Sequence, residues 1–230
     1  MTEKNSEMTE TSNVELTPQQ QYKNILEKAL QSAILLNKII RGKAVEEYTK
    51  EELEEAIFTQ SNIVTKEEII EWIDNYGLDL VEEIDACCDV IYTLSYLHYL
   101  IEEAKKREGI IVNYKHTNLI LAVGNFVLSN LPTDVDGSYN VLEKAVDRII
   151  ENNMSKVTTD VDYFRTWVAP KGETLFPKST VVDGVCYYLL VNESGKCRKP
   201  EHFVGVDLED LAEELTEQYM NVEIKDEKED

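Results

Sequence analysis

The stretch Asp79-Leu80-Val81-Glu82-Glu83-Ile84-Asp85-Ala86-Cys87-Cys88-Asp89-Val90-Ile91-Tyr92 decides how this chain is read. Asp79 is a natural helix cap, because a short carboxylate can accept from the unpaired N–H groups of a first turn. Behind it, Ile84, Cys87, Cys88, Ile91 and Leu94 recur at the helical period and form one apolar side. Glu82, Asp85 and Asp89 follow the spacing i, i+3, i+7 and form a stripe on another side. The pattern continues to Lys106 and predicts the strongest helix of the chain, in a central position. Carboxylates in such a helix are costly to bury without partners, so they point to function.

A second acidic group lies just upstream, in Thr65-Lys66-Glu67-Glu68-Ile69-Ile70-Glu71-Trp72. Thr65 with Glu68 has the spacing of a capping box, which predicts a helix starting there and stopping at the turn signal Asn75-Tyr76-Gly77. Glu67, Glu68 and Glu71 fall within one sector of that helix. Ten residues separate Glu71 from Glu82, so the two helices are expected to run antiparallel side by side. Six carboxylates across one helix pair repel each other. They are tolerable as a solvated face, or when a cation neutralises them. A hard divalent cation such as Mg²⁺ takes oxygen ligands and keeps room for phosphate oxygens. The plain alternative for the first group is a capped, solvated helix.

Outward from this pair, Thr17 and Pro18 open a helix whose apolar residues Ile25, Ala29, Ala33, Leu36 and Ile39 keep the helical period to Gly42. Thr49 and Glu52 make another capping box, for a short helix Lys50–Phe58. Ile110–Tyr114 reads as a short extended piece and Thr117–Leu128 as an apolar, buried helix. Ser138 is expected to cap a helix running to about Asn152. The composition then shifts, with Pro170, Pro177, Pro200 and several aromatic residues. Val181–Val191 reads as one strand, Asn192–Gly195 as a turn and Lys196–Lys199 as a returning strand. Leu208–Tyr219 reads as a last helix. The expected organisation is therefore a polar tail over 1–14, a helical core over 15–156, an irregular segment with a β-hairpin over 157–207, a helix over 208–220 and an acidic tail over 221–230.

The 230 residues suffice for one substantial core, and 45 acidic against 23 basic residues give a net charge of −22. That balance argues against nucleic acid as a partner, which needs clustered Lys and Arg. No run is long and apolar enough for a membrane span: Val90–Ile101 is short and carries Thr93, Ser95 and His98. Met1–Asn13 lacks the apolar stretch of a signal peptide. The adjacent Cys87 and Cys88 have no zinc spacing and suggest free thiols in a reducing cytoplasm, with a Cys186–Cys197 bridge across a hairpin as the minor alternative. Glycine is scarce and no phosphate-cradling GxxxxGK occurs. His98, His116 and His202 have no metal-ligand spacing, and Trp72, Tyr76 and Tyr92 read as packing residues.

Glu67-Glu68-x-x-Glu71 followed by Glu82-x-x-Asp85 resembles the paired acidic motifs of the all-α NTP pyrophosphohydrolase superfamily. That group includes MazG-type enzymes, phosphoribosyl-ATP pyrophosphohydrolase and dimeric dUTPases. The string Glu83–Tyr92, the helix ending Asn152-Asn153-Met154-Ser155-Lys156, and Glu193–Pro200 followed by Val206-Asp207-Leu208 are similar to phage-type members, in the same order. A rival first motif stands at Glu51-Glu52-x-x-Glu55. The resemblance implies an all-α helical bundle with a small β-containing C-terminal segment. It also implies Mg²⁺-dependent (or Mn²⁺-dependent) hydrolysis of a nucleoside triphosphate to monophosphate and pyrophosphate. In that reading Glu68, Glu71, Glu82 and Asp85 ligate the metal and Asp89 is an additional or outer ligand. Glu67 is a ligand or, with Glu68, the group that orients the attacking water. Asn153 and Lys156 reach the nucleotide; otherwise they are a helix end and a solvated side chain. A homo-oligomer, dimer or tetramer, is implied too. The alternatives are a dUTPase- or dCTPase-like enzyme of the same superfamily and a non-catalytic acidic helical interaction protein.

Overall fold

In the computed structural model, which describes residues 16–110 and 114–226, the chain is mostly helical with a small antiparallel sheet. α1 (Pro18–Arg41) starts on Thr17, whose side chain accepts from Gln20 N, and stops at Gly42 in the left-handed region (φ 79°), where a side chain would strain the backbone. α2 (Lys50–Ile63) opens on the expected Thr49–Glu52 capping box. It does not stop near Phe58. It passes through a π-helical turn, Val64–Glu68, directly into α3 (Ile69–Asn75). Thr65 is therefore not a cap: its hydroxyl donates to Ser61 O at 2.7 Å, inside a continuous helix.

The predicted central helix is α4 (Leu80–Lys105), capped by Asp79 Oδ1, which accepts from Val81 N and Glu82 N. Among its neighbours are α1, α2, α3, α5 (Tyr114–Leu128), α6 (Asn140–Met154) and α8 (Glu209–Asp226). Ile84, Cys87, Cys88, Ile91, Leu94 and Leu97 are almost wholly buried along it. The expected piece at Ile110–Tyr114 falls largely outside the described residues, as does the tail 1–14. Ser138 is not the cap of α6. Its hydroxyl donates to Asp134 Oδ2 at 2.7 Å, and that same carboxylate oxygen accepts from Asn140 N at 2.7 Å. The loop aspartate caps the helix from four residues further back. The last helix runs on past Tyr219 to Asp226, so the acidic tail begins as helix.

The segment 157–207 is more ordered than expected. β1 (Val157–Thr158) is followed by one helical turn, α7 (Val161–Phe164), then β2 (Phe176–Val182), β3 (Val185–Val191) and β4 (Cys197–Arg198). Val181–Val191 is not one strand. It is broken by Asp183 (φ 52°) and Gly184 (φ 81°), the positive-φ pair of a tight hairpin turn. β2 covers one edge of β3 along its whole length. β1 and β4 share the other edge end to end, with Val157 opposite Leu189 and Arg198 opposite Leu190. Cys186 pairs with Val181 and Cys197 with Val191, at opposite ends of β3, so they do not bridge; both thiols are free.

The sheet docks on the C-terminal half of α1 through Leu36, Ile39, Val157, Val182 and Leu189. Lys178 Nζ donates to Ile40 O at 2.5 Å, and Lys38 pairs with Asp183 at 2.8 Å. Among the described residues no helix is long and apolar enough to cross a membrane.

Candidate metal and phosphate site

The acidic residues of the α2–α3 helix and of α4 do meet. Glu71, Glu82 and Asp85 each offer a carboxylate oxygen, and these oxygens lie within 4.8 Å of one another. Asp79 starts α4 soon after α3 ends, and the short Tyr76–Asp79 turn folds the two helices back on each other. Glu83 Oε2 holds that turn by accepting from Gly77 N at 2.8 Å.

The π turn sets how the first acidic motif is presented. The buried stripe of α2 steps through Leu53, Ala56, Ile57, Gln60, Ser61 and Val64, then resumes at Glu68, Ile69 and Trp72. Ile69 N reaches back five residues to Val64 O, which inserts the extra residue. The result is that Glu68 itself enters the buried stripe, 9% exposed, against α4. Glu67 stays outside, 4.0 Å from Lys196 Nζ.

Burial and mutual repulsion show in the carboxyl groups. Glu68 is pushed up to about 8, first by burial and then by the charges of Asp89, Glu67 and Glu71. Asp89 is pushed up to about 7 by burial and by Asp85 and Glu71. Asp85 is raised by burial and by Glu71 and Glu82. Carboxylates crowded this way favour either protons or a cation.

Two lysines oppose them. Lys156 follows α6 and enters β1; its ammonium donates to Asn153 Oδ1 at 2.5 Å and is held below its usual range by burial, against the pull of Asp89 and Glu68. Lys199 follows β4; it donates to Asn152 Oδ1 at 3.2 Å, lies 3.9 Å over the Phe203 ring, and is lowered by burial and by Lys156, against Asp89 and Asp85. The sheet brings the two together. β4 leaves the edge of β3 where β1 joins it, and Cys197 Sγ lies 3.7 Å from Lys156 O at that junction. Asn152 and Asn153, at the end of α6, hold one lysine each.

Of the residues read from sequence, Glu68, Glu71, Glu82, Asp85, Asp89, Asn153 and Lys156 thus belong to one neighbourhood, with Glu67 at its rim. Lys199 and Asn152 were missed, although both lie in stretches singled out there; the missing signal was the shared edge of β3, a pairing that no local spacing reveals. The rival Glu51, Glu52 and Glu55 are elsewhere. Glu52 accepts from Thr49 N and from Lys43 Nζ at 2.5 Å, at the start of α2. That end faces the far end of α4, since Lys50 Nζ approaches Gly109, roughly 30 Å along the helix from Asp85 at 1.5 Å per residue.

The donor set suits a hard cation. It is all oxygen, without thiolate or imidazole, which matches Mg²⁺ or Mn²⁺ rather than zinc. Cys87 and Cys88 lie on the buried side of α4, and burial pushes both thiols up, Cys87 to about 12, so neither is a metal-binding thiolate. Comparison with protein-family models, with curated proteins and with solved structures returns no match.

Proposed function

We propose that the protein is a divalent-cation-dependent nucleotide pyrophosphohydrolase, cleaving a nucleoside triphosphate (NTP or dNTP) to the monophosphate and pyrophosphate on a helical core of the all-α NTP pyrophosphohydrolase type. One observation carries this reading: beside the three converging carboxylates of Glu71, Glu82 and Asp85, two lysines reach into the same acidic cluster, Lys199 toward Asp85 and Asp89 and Lys156 toward Asp89 and Glu68. Carboxylates alone describe a cation site, and lysines alone an anion site. Together they describe a site for a metal-bound polyphosphate.

Glu71, Glu82 and Asp85 would hold Mg²⁺, with Glu68 and Asp89 beside them. The ion would supply positive charge against the phosphoryl oxygens. The rest is the work of side chains. Glu68 is buried and its carboxyl sits near neutrality, which suits a group that takes a proton from an attacking water and later releases it. The water oxygen bonds to the α-phosphorus, the α–β anhydride bond breaks, and its electron pair leaves with pyrophosphate. Lys156 and Lys199 are point charges for the departing phosphates, and Asn153 and Asn152 fix their ammonium groups. Lys196 lies 4.0 Å from Glu67 at the rim of the same site and adds a third positive charge there. The test is pyrophosphate release from a panel of NTPs and dNTPs with Mg²⁺, which also separates a broad enzyme from a dUTPase- or dCTPase-like one. An absence of pyrophosphate from every nucleotide, with no thermal shift on adding Mg²⁺, would favour the acidic interaction protein instead.

A further inference from the structure

Lys199-Pro200-Glu201-His202-Phe203-Val204 leaves β4 and turns back beside the end of α6. Phe203 N donates to Pro200 O at 3.1 Å within the turn. Asn152 clamps both of its ends: Oδ1 accepts from Lys199 Nζ at 3.2 Å, and Nδ2 donates to Val204 O at 3.3 Å. The clamp holds the Phe203 ring against the Lys199 ammonium, 3.9 Å from centroid to nitrogen. A cation of the acidic site thus rests on an aromatic face. That ring is only half buried, and its chain neighbours His202 and Val204 are exposed. Further aromatic rings adjoin the turn. The His202 ring lies 5.9 Å from that of Tyr163 and 6.4 Å from that of Trp167, and Tyr163 OH lies 3.2 Å from His202 Nε2. Glu201 N donates to Val168 O at 2.8 Å and fixes the turn to that wall.

Resting on the nucleotide reading of the acidic site, we propose that this turn is the nucleoside subsite, and that the base of the substrate stacks on Phe203. The contact between Lys199 and Phe203 selects this ligand. A lysine over a ring is a weak contact where water has access. A nucleotide offers each partner a better one: a phosphate oxygen for the ammonium and a π face for the ring. On binding, Lys199 turns to the phosphates and the base takes the face that it leaves. Inorganic polyphosphate satisfies the lysine alone and leaves the ring in water. An apolar peptide satisfies the ring alone and leaves the ammonium without an anion. Every base has a π face, so Phe203 sets affinity for a nucleoside rather than choice among bases. The subsite lies on the segment after β4, outside the helical bundle that carries the carboxylates.

Calorimetric titration of the full chain with Mg²⁺ measures the subsite without turnover. The probes are inorganic tripolyphosphate and the non-hydrolysable α,β-methylene analogues of ATP, GTP, CTP and UTP. In wild type at least one analogue should bind roughly 5- to 100-fold tighter than tripolyphosphate, the range that stacking one base supplies. Phe203→Leu, which keeps an apolar side chain but removes the π face, should erase that margin and leave tripolyphosphate binding unchanged. Phe203→Tyr should keep the margin. If Phe203→Leu fails to fold, Trp167 reports instead: in Trp72→Phe protein, where it is the one tryptophan left, the analogue should shift its fluorescence and tripolyphosphate should not. A wild type that binds tripolyphosphate as tightly as every analogue, a margin that survives Phe203→Leu, or no fluorescence shift overturns the proposal. The margin found in a protein that releases no pyrophosphate would sink the catalytic reading alone.

Discussion

Asp85 and Glu82 sit one turn apart on α4 with Glu71 opposite, and no salt bridge or side-chain hydrogen bond to Glu82 or Asp85 is seen among the described residues. Asp85→Ala or Glu82→Ala should therefore cost little stability. Each should abolish both pyrophosphate release and the rise in melting temperature on adding Mg²⁺, two effects that calorimetry and a coupled assay read separately. Lys156 and Lys199 should behave differently. Lys156→Met or Lys199→Met removes one charge-assisted contact, about 1.5–3 kcal/mol, so kcat/KM should fall roughly 10- to 100-fold while the Mg²⁺-dependent thermal shift stays. Glu68 separates stability from activity. Its carboxylate is buried among Asp89, Glu67 and Glu71, so Glu68→Gln should raise the melting temperature of the metal-free protein near pH 8, by about 1–2 kcal/mol of stability, and remove most of the activity. A metal-free Glu68→Gln protein less stable than wild type would contradict the assigned strain.

At the scale of elements, the parts of the fold that local chemistry dictates were legible. Asp79, Thr17 and Thr49 cap the helices they were expected to cap, and the apolar stripe of α4 is the core it promised to be. Thr65 misled because a hydroxyl can cap a helix or bond back to the preceding turn, and the spacing to Glu68 is the same in both cases. The hairpin turn was legible and overlooked: Asp183-Gly184 is the pair that such turns favour. Gly184→Val, forcing a β-branched side chain into φ 81°, should lower stability by about 1–2 kcal/mol and loosen the strand that holds Lys156 and Lys199 together. The π turn has a sharper consequence. Deleting the exposed Lys66 removes the extra residue, returns the turn to α-helical register and leaves Glu68, Ile69 and Trp72 at the third, fourth and seventh positions after Val64, still on the buried stripe. Circular dichroism should then stay helical and pyrophosphate release should be kept. Loss of release in a folded variant would mean that the π turn itself, and not only the buried stripe, is needed to present Glu68.

For the whole molecule, the acidic site ties stability to pH. In the fold Glu68 and Asp89 hold protons up to about 8 and about 7, against ordinary values of 4.5 and 3.8. Between those limits the native state binds more protons than the unfolded chain, so stability falls as pH rises. Without metal the melting temperature should drop from about pH 5 to pH 8. With Mg²⁺, which replaces the protons, the drop should shrink or vanish; a metal-free melting temperature that rises over that interval would contradict the shifts. The acidic composition, legible from the first, thus has a consequence at this scale: crowded carboxylates load one site and tie the stability of the fold to pH. The most direct measurement of the central claim is pyrophosphate release from the NTP and dNTP panel by wild type and Asp85→Ala, with Mg²⁺ and with the ion chelated. The account predicts equal amounts of monophosphate and pyrophosphate from at least one nucleotide, lost on chelation and lost in Asp85→Ala. Release that persists in Asp85→Ala, or none from any nucleotide, would contradict it.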